Sequence, residues 1–180
     1  MKTSTGSIYR CSYVAPVGII TAAASDNALI GLWFEGQKYY PCGVDSWVLA
    51  PDYPILAELQ TWLDGYFAGD TAPFAGKINP LIFNQQGIAA QNSPFQKEVW
   101  DELLRIPYGT TTTYGAIAQT LAASRGRQRF SAQAVGGAVG HNPISIIVPC
   151  HRVVGAAGNL TGYAGGIDKK LALLKLEGAI

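Results

Sequence analysis

Apolar positions in the first half of the chain fall into three short runs and one longer helical pattern. The short runs, which predict strands, cover residues 7–9, 18–23 and 28–34. Over residues 54–67 apolar side chains recur at the spacing of a helix, which ends near Gly69. These elements predict a small α/β domain, an antiparallel sheet with one helix, which together with its linker occupies residues 1–88. Residues 73–92 have the composition of a connecting segment.

The second half of the chain, residues 89–180, is predicted to be mainly helical. Ser93 and Gln96 have the spacing of a capping box around Pro94, so a helix is expected to begin there. The turn residues at 107–109 should end it. The residues predicted to form its buried stripe are Phe95, Val99, Leu103 and Leu104.

Two more helices are expected on either side of a basic loop. Thr113 can cap a helix over residues 114–122, and Ser131 can cap one over residues 131–140. A helix, a short turn and a second helix form the outline of a winged helix-turn-helix-like DNA-binding motif. The arginines of the loop between them are Arg125, Arg127 and Arg129.

The helix over residues 131–140 consists almost entirely of small residues. Each of its two adjacent glycines costs about 1 kcal/mol relative to alanine inside a helix. Two explanations stay open: tight packing against another helix, or entry of the helix into a narrow space. A minor groove about 6 Å wide favours small side chains, whereas a helix that reads the major groove needs polar ones. Gln133 alone offers such a group.

Charge is distributed unevenly between the two halves. Residues 1–88 hold four Lys or Arg against seven Asp or Glu, and residues 89–180 hold nine against five. A polyanionic partner would therefore be attracted mainly by the C-terminal half. Charged residues make up 14% of the chain and hydrophobic residues 48%, a balance that excludes a disordered protein.

Cysteine and histidine usage argues against a disulfide framework and against a metal site. The three cysteines, Cys11, Cys42 and Cys150, are odd in number and far apart, and the two histidines do not complete a zinc-ligand pattern. We expect no metal and no cofactor. No secretory signal pattern and no membrane-length apolar run occurs, so a soluble, cytoplasmic protein is expected.

The chemistry of the chain is predicted to lie in the segment that follows residues 144–148, an apolar run of the buried-strand type. Cys150 stands directly after Pro149 and is followed by His151 and Arg152. A free thiol is only a few per cent ionised at neutral pH, and a nearby base or positive charge raises that fraction. Adjacent side chains on a strand point to opposite faces, so we expect His151 to act through a water molecule. Glu177, in a helix over residues 168–177, is a candidate to orient the imidazole.

The residues around Cys150 resemble those of a known protein family. The run Pro149-Cys150-His151-Arg152-Val153, preceded by Asn142-Pro143 and followed by Gly162-Tyr163, resembles the O6-alkylguanine-DNA alkyltransferases, also called methylated-DNA–protein-cysteine methyltransferases. The resemblance extends from about residue 93 to residue 178. It implies a ribonuclease H-like N-terminal domain and a C-terminal domain that binds double-stranded DNA through the minor groove as a monomer. The implied reaction moves an alkyl group, once per molecule, from O6-alkylguanine, and by extension from O4-alkylthymine, to Cys150.

The resemblance also implies a role for each matching residue. His151 would be the water-mediated base and Glu177 its partner. Asn142 would bind main-chain groups and hold the helix–strand hinge over the site, and Tyr114 would help rotate the nucleotide and donate a hydrogen bond to guanine. Arg152 would order the active-site turn. The remaining substrate or DNA contacts implied in this way are Arg127, Arg129, Ala132, Gln133, Gly136, Val148, Tyr163, Ala164 and Gly165.

Two positions depart from the pattern of the family. Gln133 stands where members often carry an arginine that enters the base stack, which predicts weaker DNA affinity but retained base rotation. Gly165 stands where some members carry a bulky residue, which predicts that larger adducts such as benzyl are accepted.

Three other functions fit these residues less well. A lesion-binding protein without transfer chemistry would lack the cysteine at position 150. A cysteine hydrolase would need direct contact between thiol and imidazole, which adjacent strand positions suit poorly. A transcription regulator would need base-reading side chains on its recognition helix.

Overall fold

The structure is a computed structural model that describes residues 6–83, 89–90, 92–126 and 130–180. The chain forms two compact units, Met1–Gln91 and Asn92–Ile180. No helix in the described ranges is both long and apolar enough to cross a membrane.

The main elements among the described residues of the N-terminal unit are a four-stranded sheet and one α-helix. Its strands are β1 (Tyr9–Ala15), β2 (Gly18–Ser25), β3 (Ala28–Phe34) and β4 (Val48–Leu49), and its helix is α1 (Pro54–Phe67). The order is β3-β2-β1-β4, with β1, β2 and β3 antiparallel and β4 parallel to β1. This α/β architecture confirms the predicted fold class, although the first strand lies at 9–15 and not at 7–9.

Helix α1 begins and ends as its apolar pattern predicts. Its buried residues, Ile55, Leu56, Leu59, Leu63 and Tyr66, recur three or four positions apart and form one stripe. Helix α1 contacts β1, β2 and β3. A separate aromatic cluster of Trp33, Trp47 and Phe83 packs within the same unit. Phe83 belongs to a short antiparallel pair, β5 (Ile82–Phe83) with β6 (Ala89–Ala90), so the expected connecting segment also contains strands.

The C-terminal unit contains four α-helices in its described residues and one short strand pair. The helices are α2 (Pro94–Leu104), α3 (Tyr114–Ser124), α4 (Ala132–Gly140) and α5 (Ile167–Leu176), and the parallel pair is β7 (Thr112–Thr113) with β8 (Val153–Val154). Contacts among α2, α3 and α4 hold this unit together. Residues 127–129 lie outside the described ranges, so the helix-turn-helix motif stays a prediction.

The helix starts in this unit follow the predicted caps. Ser93 accepts from the backbone of Gln96, whose side chain accepts from the backbone of Ser93, which completes the capping box. Thr113 and Ser131 cap α3 and α4. The predicted buried stripe is wrong in part: Leu104 is 46% exposed, Phe95 is only half-buried, and Trp100 lies in the core. The reason is that the indole nitrogen of Trp100 donates to the Ala138 carbonyl of α4 at 3.0 Å, which turns this face of α2 inward.

Candidate active site

The segment that leads into Cys150 is a tight turn, so the strand predicted over residues 144–148 is wrong. Val148 N–H donates to the Ile144 carbonyl at 3.1 Å, and Ile146 adopts a positive φ of 69°. Side-chain bonds from Asn142 to the backbone replace the ladder that a strand would need. Cys150 itself begins a 3₁₀ turn, Cys150–Arg152.

Asn142 ties this turn to the thiol. Its Nδ2 donates to the carbonyls of Ile144 at 3.2 Å and Val148 at 2.7 Å and to Sγ of Cys150 at 3.1 Å, while its Oδ1 accepts from Ile144 N–H at 3.0 Å. Asn142 is 3% exposed and Cys150 is 4% exposed. One buried amide therefore fixes the position of the sulfur relative to the end of α4.

His151 and Glu177 form a buried pair although 26 positions separate them in the chain. Nε2 of His151 lies 2.8 Å from Oε1 of Glu177, and neither side chain is exposed. Nδ1 of His151 is also buried and has no hydrogen-bond partner within the described ranges. The carboxylate thus holds one ring nitrogen and leaves the lone pair of the other for a proton.

Arg152 turns into the protein and contacts Glu177. Its Nε lies 2.8 Å from Oε2, its Nη2 lies 2.9 Å from Oε1, and its Nη1 donates to the Ile106 carbonyl at 2.7 Å. The side chain is 11% exposed. The guanidinium therefore contacts the carboxylate and a backbone carbonyl, and the predicted DNA or substrate contact of Arg152 stays a prediction.

Lys170 is a buried cation near Cys150 that the sequence analysis did not predict. It is fully buried in α5, and its Nζ donates to the carbonyls of Val153 at 2.5 Å and Thr161 at 2.9 Å. Burial lowers the pKa of Lys170 to about 8, although the charge of Cys150 opposes the change. The available signal was its spacing, because Lys170 lies three and four positions before the buried Leu173 and Leu174.

The thiol and the imidazole are both shifted toward their neutral forms. Burial raises the pKa of Cys150, while the Asn142 hydrogen bond, the Lys170 charge and nearby backbone amides lower it. Burial also lowers the pKa of His151, against the raising effect of Glu177. Both directions favour a protonated thiol and a neutral imidazole in the resting protein.

Tyr114 is the first residue of α3 and closes one side of the site. Its hydroxyl donates to the carbonyls of Thr161 at 3.1 Å and Gly162 at 3.0 Å, and its ring lies 6.0 Å from Nζ of Lys170. Burial, followed by the charge of Cys150, raises the pKa of Tyr114. The next three residues after Gly162 are half-buried: Tyr163, Ala164 and Gly165.

The small residues of α4 are not all required by packing. A Cβ at Gly136 would meet the Tyr114 ring at 3.8 Å, an ordinary contact, and one at Gly137 or Gly140 would meet no described atom within 4 Å. Ala132 and Gln133 are exposed at the start of the helix. The internal packing of this unit therefore leaves room for side chains at these glycines. Arg127 and Arg129, predicted as DNA contacts, lie outside the described residues.

Comparison with known proteins accounts for nearly the whole chain. Residues 8–80 match the ribonuclease-like domain of 6-O-methylguanine DNA methyltransferase, and residues 94–179 match its DNA-binding domain. The methylated-DNA–protein-cysteine methyltransferase of Mycobacterium leprae is 41% identical over 94% of this chain and 92% of its own length. The chain belongs to the methylated-DNA–protein-cysteine methyltransferase family.

Other members of the family agree in sequence and in fold. The protein of that name from Methanosarcina acetivorans is 41% identical over 96% of this chain and 99% of its own length. The crystal structure of a Mycobacterium tuberculosis OGT in complex with DNA superimposes with a TM-score of 0.78 at 38% identity, over 95% of this chain and 93% of that one. The two-domain fold of this chain is thus the fold of the family.

The described ranges contain no cluster of three or more histidine, cysteine or acidic side chains arranged to hold a metal ion. Cys11 is buried in the N-terminal sheet, and burial raises its pKa to about 11, whereas Cys42 is exposed. Of the three cysteines, Cys150 is the one that is buried next to the side-chain amide of Asn142.

Proposed function

We propose that this protein repairs DNA by transferring a methyl or larger alkyl group from O6 of guanine to the sulfur of its own Cys150. The observation that carries the proposal is the buried arrangement in which Asn142 holds the sulfur and Glu177 holds Nε2 of His151. This arrangement supplies a nucleophile, a base and an orienting carboxylate, which are the parts that nucleophilic catalysis requires.

The first step of the proposed reaction removes the thiol proton. The proton passes from Sγ of Cys150 through a water molecule to Nδ1 of His151, which is the buried nitrogen without a partner in the described part of the chain. Glu177 stabilises the imidazolium that results. Lys170 and the Asn142 amide stabilise the thiolate, since both lower the pKa of Cys150.

In the second step the thiolate attacks the alkyl carbon. A carbon–sulfur bond forms while the carbon–O6 bond breaks, and its electron pair stays with the purine. Tyr114 donates a hydrogen bond to the purine as it leaves, which requires its hydroxyl to exchange the Thr161 and Gly162 carbonyls for the base. The product is a thioether that water does not hydrolyse, so each molecule acts once.

The target atom lies inside a duplex, so the nucleotide must first be rotated out at a cost of a few kcal/mol. The exposed small residues of α4 would approach a minor groove closely, and Gln133, exposed near the start of that helix, would fill the space left by the base. The complex of the Mycobacterium tuberculosis protein with DNA supports DNA as the partner. A monomer acting in the cytoplasm belongs to the same proposal.

Intact mass measurement tests the function. The wild-type chain is incubated with duplex DNA that contains O6-methylguanine, and one methyl increment that maps to Cys150 and stops at one equivalent is expected. Cys150→Ser should bind the duplex without gaining mass, and Cys42→Ser, which removes an exposed thiol, should behave as wild type. A protein that only binds the lesion would leave the wild-type mass unchanged.

A further inference from the structure

Glu177 is shared between a base and a cation. Its Oε1 accepts from Nε2 of His151 and from Nη2 of Arg152, and its Oε2 lies 2.8 Å from Nε of Arg152. A guanidinium that contacts both oxygens of a carboxylate is the strongest common form of ion pair. Arg152 alone therefore compensates most of the negative charge of Glu177.

The turn at residues 106–109 holds this pair in place. Arg152 donates to the Ile106 carbonyl, and its guanidinium lies 5.6 Å from the centre of the Tyr108 ring. Gly109 N–H contacts Oε2 of Glu177 at 3.4 Å. Gly109 has a φ of 71°, and a Cβ there would lie 2.9 Å from the Glu177 carbonyl oxygen, so only glycine permits this approach. The turn that ends a helix in the sequence is thus also part of the active site.

The charges around His151 disfavour a second proton on its ring. The groups that act on it are the carboxylate of Glu177 and the cations of Arg152 and Lys170. One anion and two cations leave the buried imidazole in positive surroundings. Cys150, Tyr108 and Tyr114 are further titratable groups of this region, and each is neutral when protonated.

We propose that Arg152 is a positioning residue which, by compensating the charge of Glu177, keeps His151 as a neutral imidazole protonated on Nε2. In this tautomer Nε2–H donates to Glu177 and Nδ1 offers its lone pair. A carboxylate without Arg152 would instead draw a proton onto the ring, and an imidazolium cannot accept the thiol proton. The inference rests on the proposed function for its purpose but concerns a property of the resting protein.

Nuclear magnetic resonance of the imidazole nitrogens tests this inference directly. The chain has two histidines, so the signals of His151 and His141 can be assigned and followed as pH is varied. At pH 7 the wild-type His151 should show the neutral Nε2–H tautomer. In Arg152→Met its titration midpoint should rise by about 1 unit or more, because the nearby carboxylate is no longer compensated.

Two further variants separate this role from simple support of the fold. Arg152→Lys keeps the positive charge and should hold the midpoint close to that of wild type. Arg105→Met removes a surface arginine that pairs with Glu102 and should leave the midpoint unchanged. An imidazolium in wild type at pH 7 would overturn the inference without any variant, and so would an unshifted midpoint in folded Arg152→Met.

The outcome is independent of the outcome for the proposed function. Methyl transfer from O6-methylguanine duplex to wild type is measured on the same preparation. If no methyl is transferred, the function is wrong whatever the histidine signals show. If methyl is transferred while His151 fails to respond to Arg152→Met, only the inference about Arg152 is wrong.

Discussion

The side-chain nitrogen of Asn142 lies 3.1 Å from the sulfur of Cys150 and 2.7 Å from the carbonyl oxygen of Val148. The same amide therefore holds the nucleophile and the turn that presents it. Alkylation of the sulfur would add bulk at the point where this amide donates, so the reaction product and the turn compete for one space.

Asn142→Ala is expected to lower both stability and reactivity. It leaves the Ile144 and Val148 backbone groups without their partner in a buried place, which costs about 2–4 kcal/mol. A thiolate that loses a hydrogen bond of about 1.5 kcal/mol should also be about tenfold scarcer. Urea unfolding and the single-turnover rate measure the two effects. Asn159→Ala, at an exposed position, is the control.

Lys170 should make stability depend on pH in an alkaline window. Its pKa in the folded protein is about 8 and its ordinary value is 10.5, so between these values the unfolded chain binds the extra proton. The free energy of unfolding should therefore rise from pH 8 to pH 10.5 in wild type relative to Lys170→Met, and the difference should be flat below this window. Urea titrations at several pH values measure this difference. Lys175 is exposed on the same helix, so the free energy of unfolding of Lys175→Met should follow that of wild type. If the difference between wild type and Lys170→Met does not change from pH 8 to pH 10.5, the lowered pKa of Lys170 is contradicted.

Gln133→Arg should strengthen binding to duplex DNA. Gln133 is exposed at the start of α4, and an arginine there can neutralise one more phosphate or enter the stack. We expect the slope of log K against log salt to steepen by about 0.9. Gln119→Arg adds the same charge at an exposed position of α3, so an equal gain in both variants would show that position 133 has no special place on DNA.

Gly165 should allow the site to accept a benzyl group. Free O6-benzylguanine is expected to add one benzyl increment to Cys150 and to block later methyl transfer. Gly165→Trp should slow the reaction with benzylguanine far more than the reaction with O6-methylguanine in DNA. Mass measurement against time gives both rates. Wild-type protein that stays unmodified by benzylguanine would rule out an open site at this position.

Helices, strands and caps that depend on residues close in the sequence could be predicted accurately from the sequence. The bounds of β3 and α1 and the capping box at Ser93 follow from periodicity and from bonds within one turn. The strand over residues 144–148 was predicted wrongly because its apolar pattern says nothing of Asn142, whose side chain bonds the carbonyls that a strand would use. Leu104 was assigned to the core because periodicity alone could not tell it from Trp100.

The sequence by itself determined the two-part organisation, the family and the reactive segment at Cys150 and His151. Only the tertiary structure decided that Glu177 meets His151, that Arg152 turns inward to the same carboxylate, and that Lys170 is a buried cation near the thiol. The physical reason is distance along the chain. Local hydrogen bonds and apolar spacing depend on residues that are close in the sequence. The partner of a buried charge, in contrast, is a group that another element of the fold brings within about 3 Å.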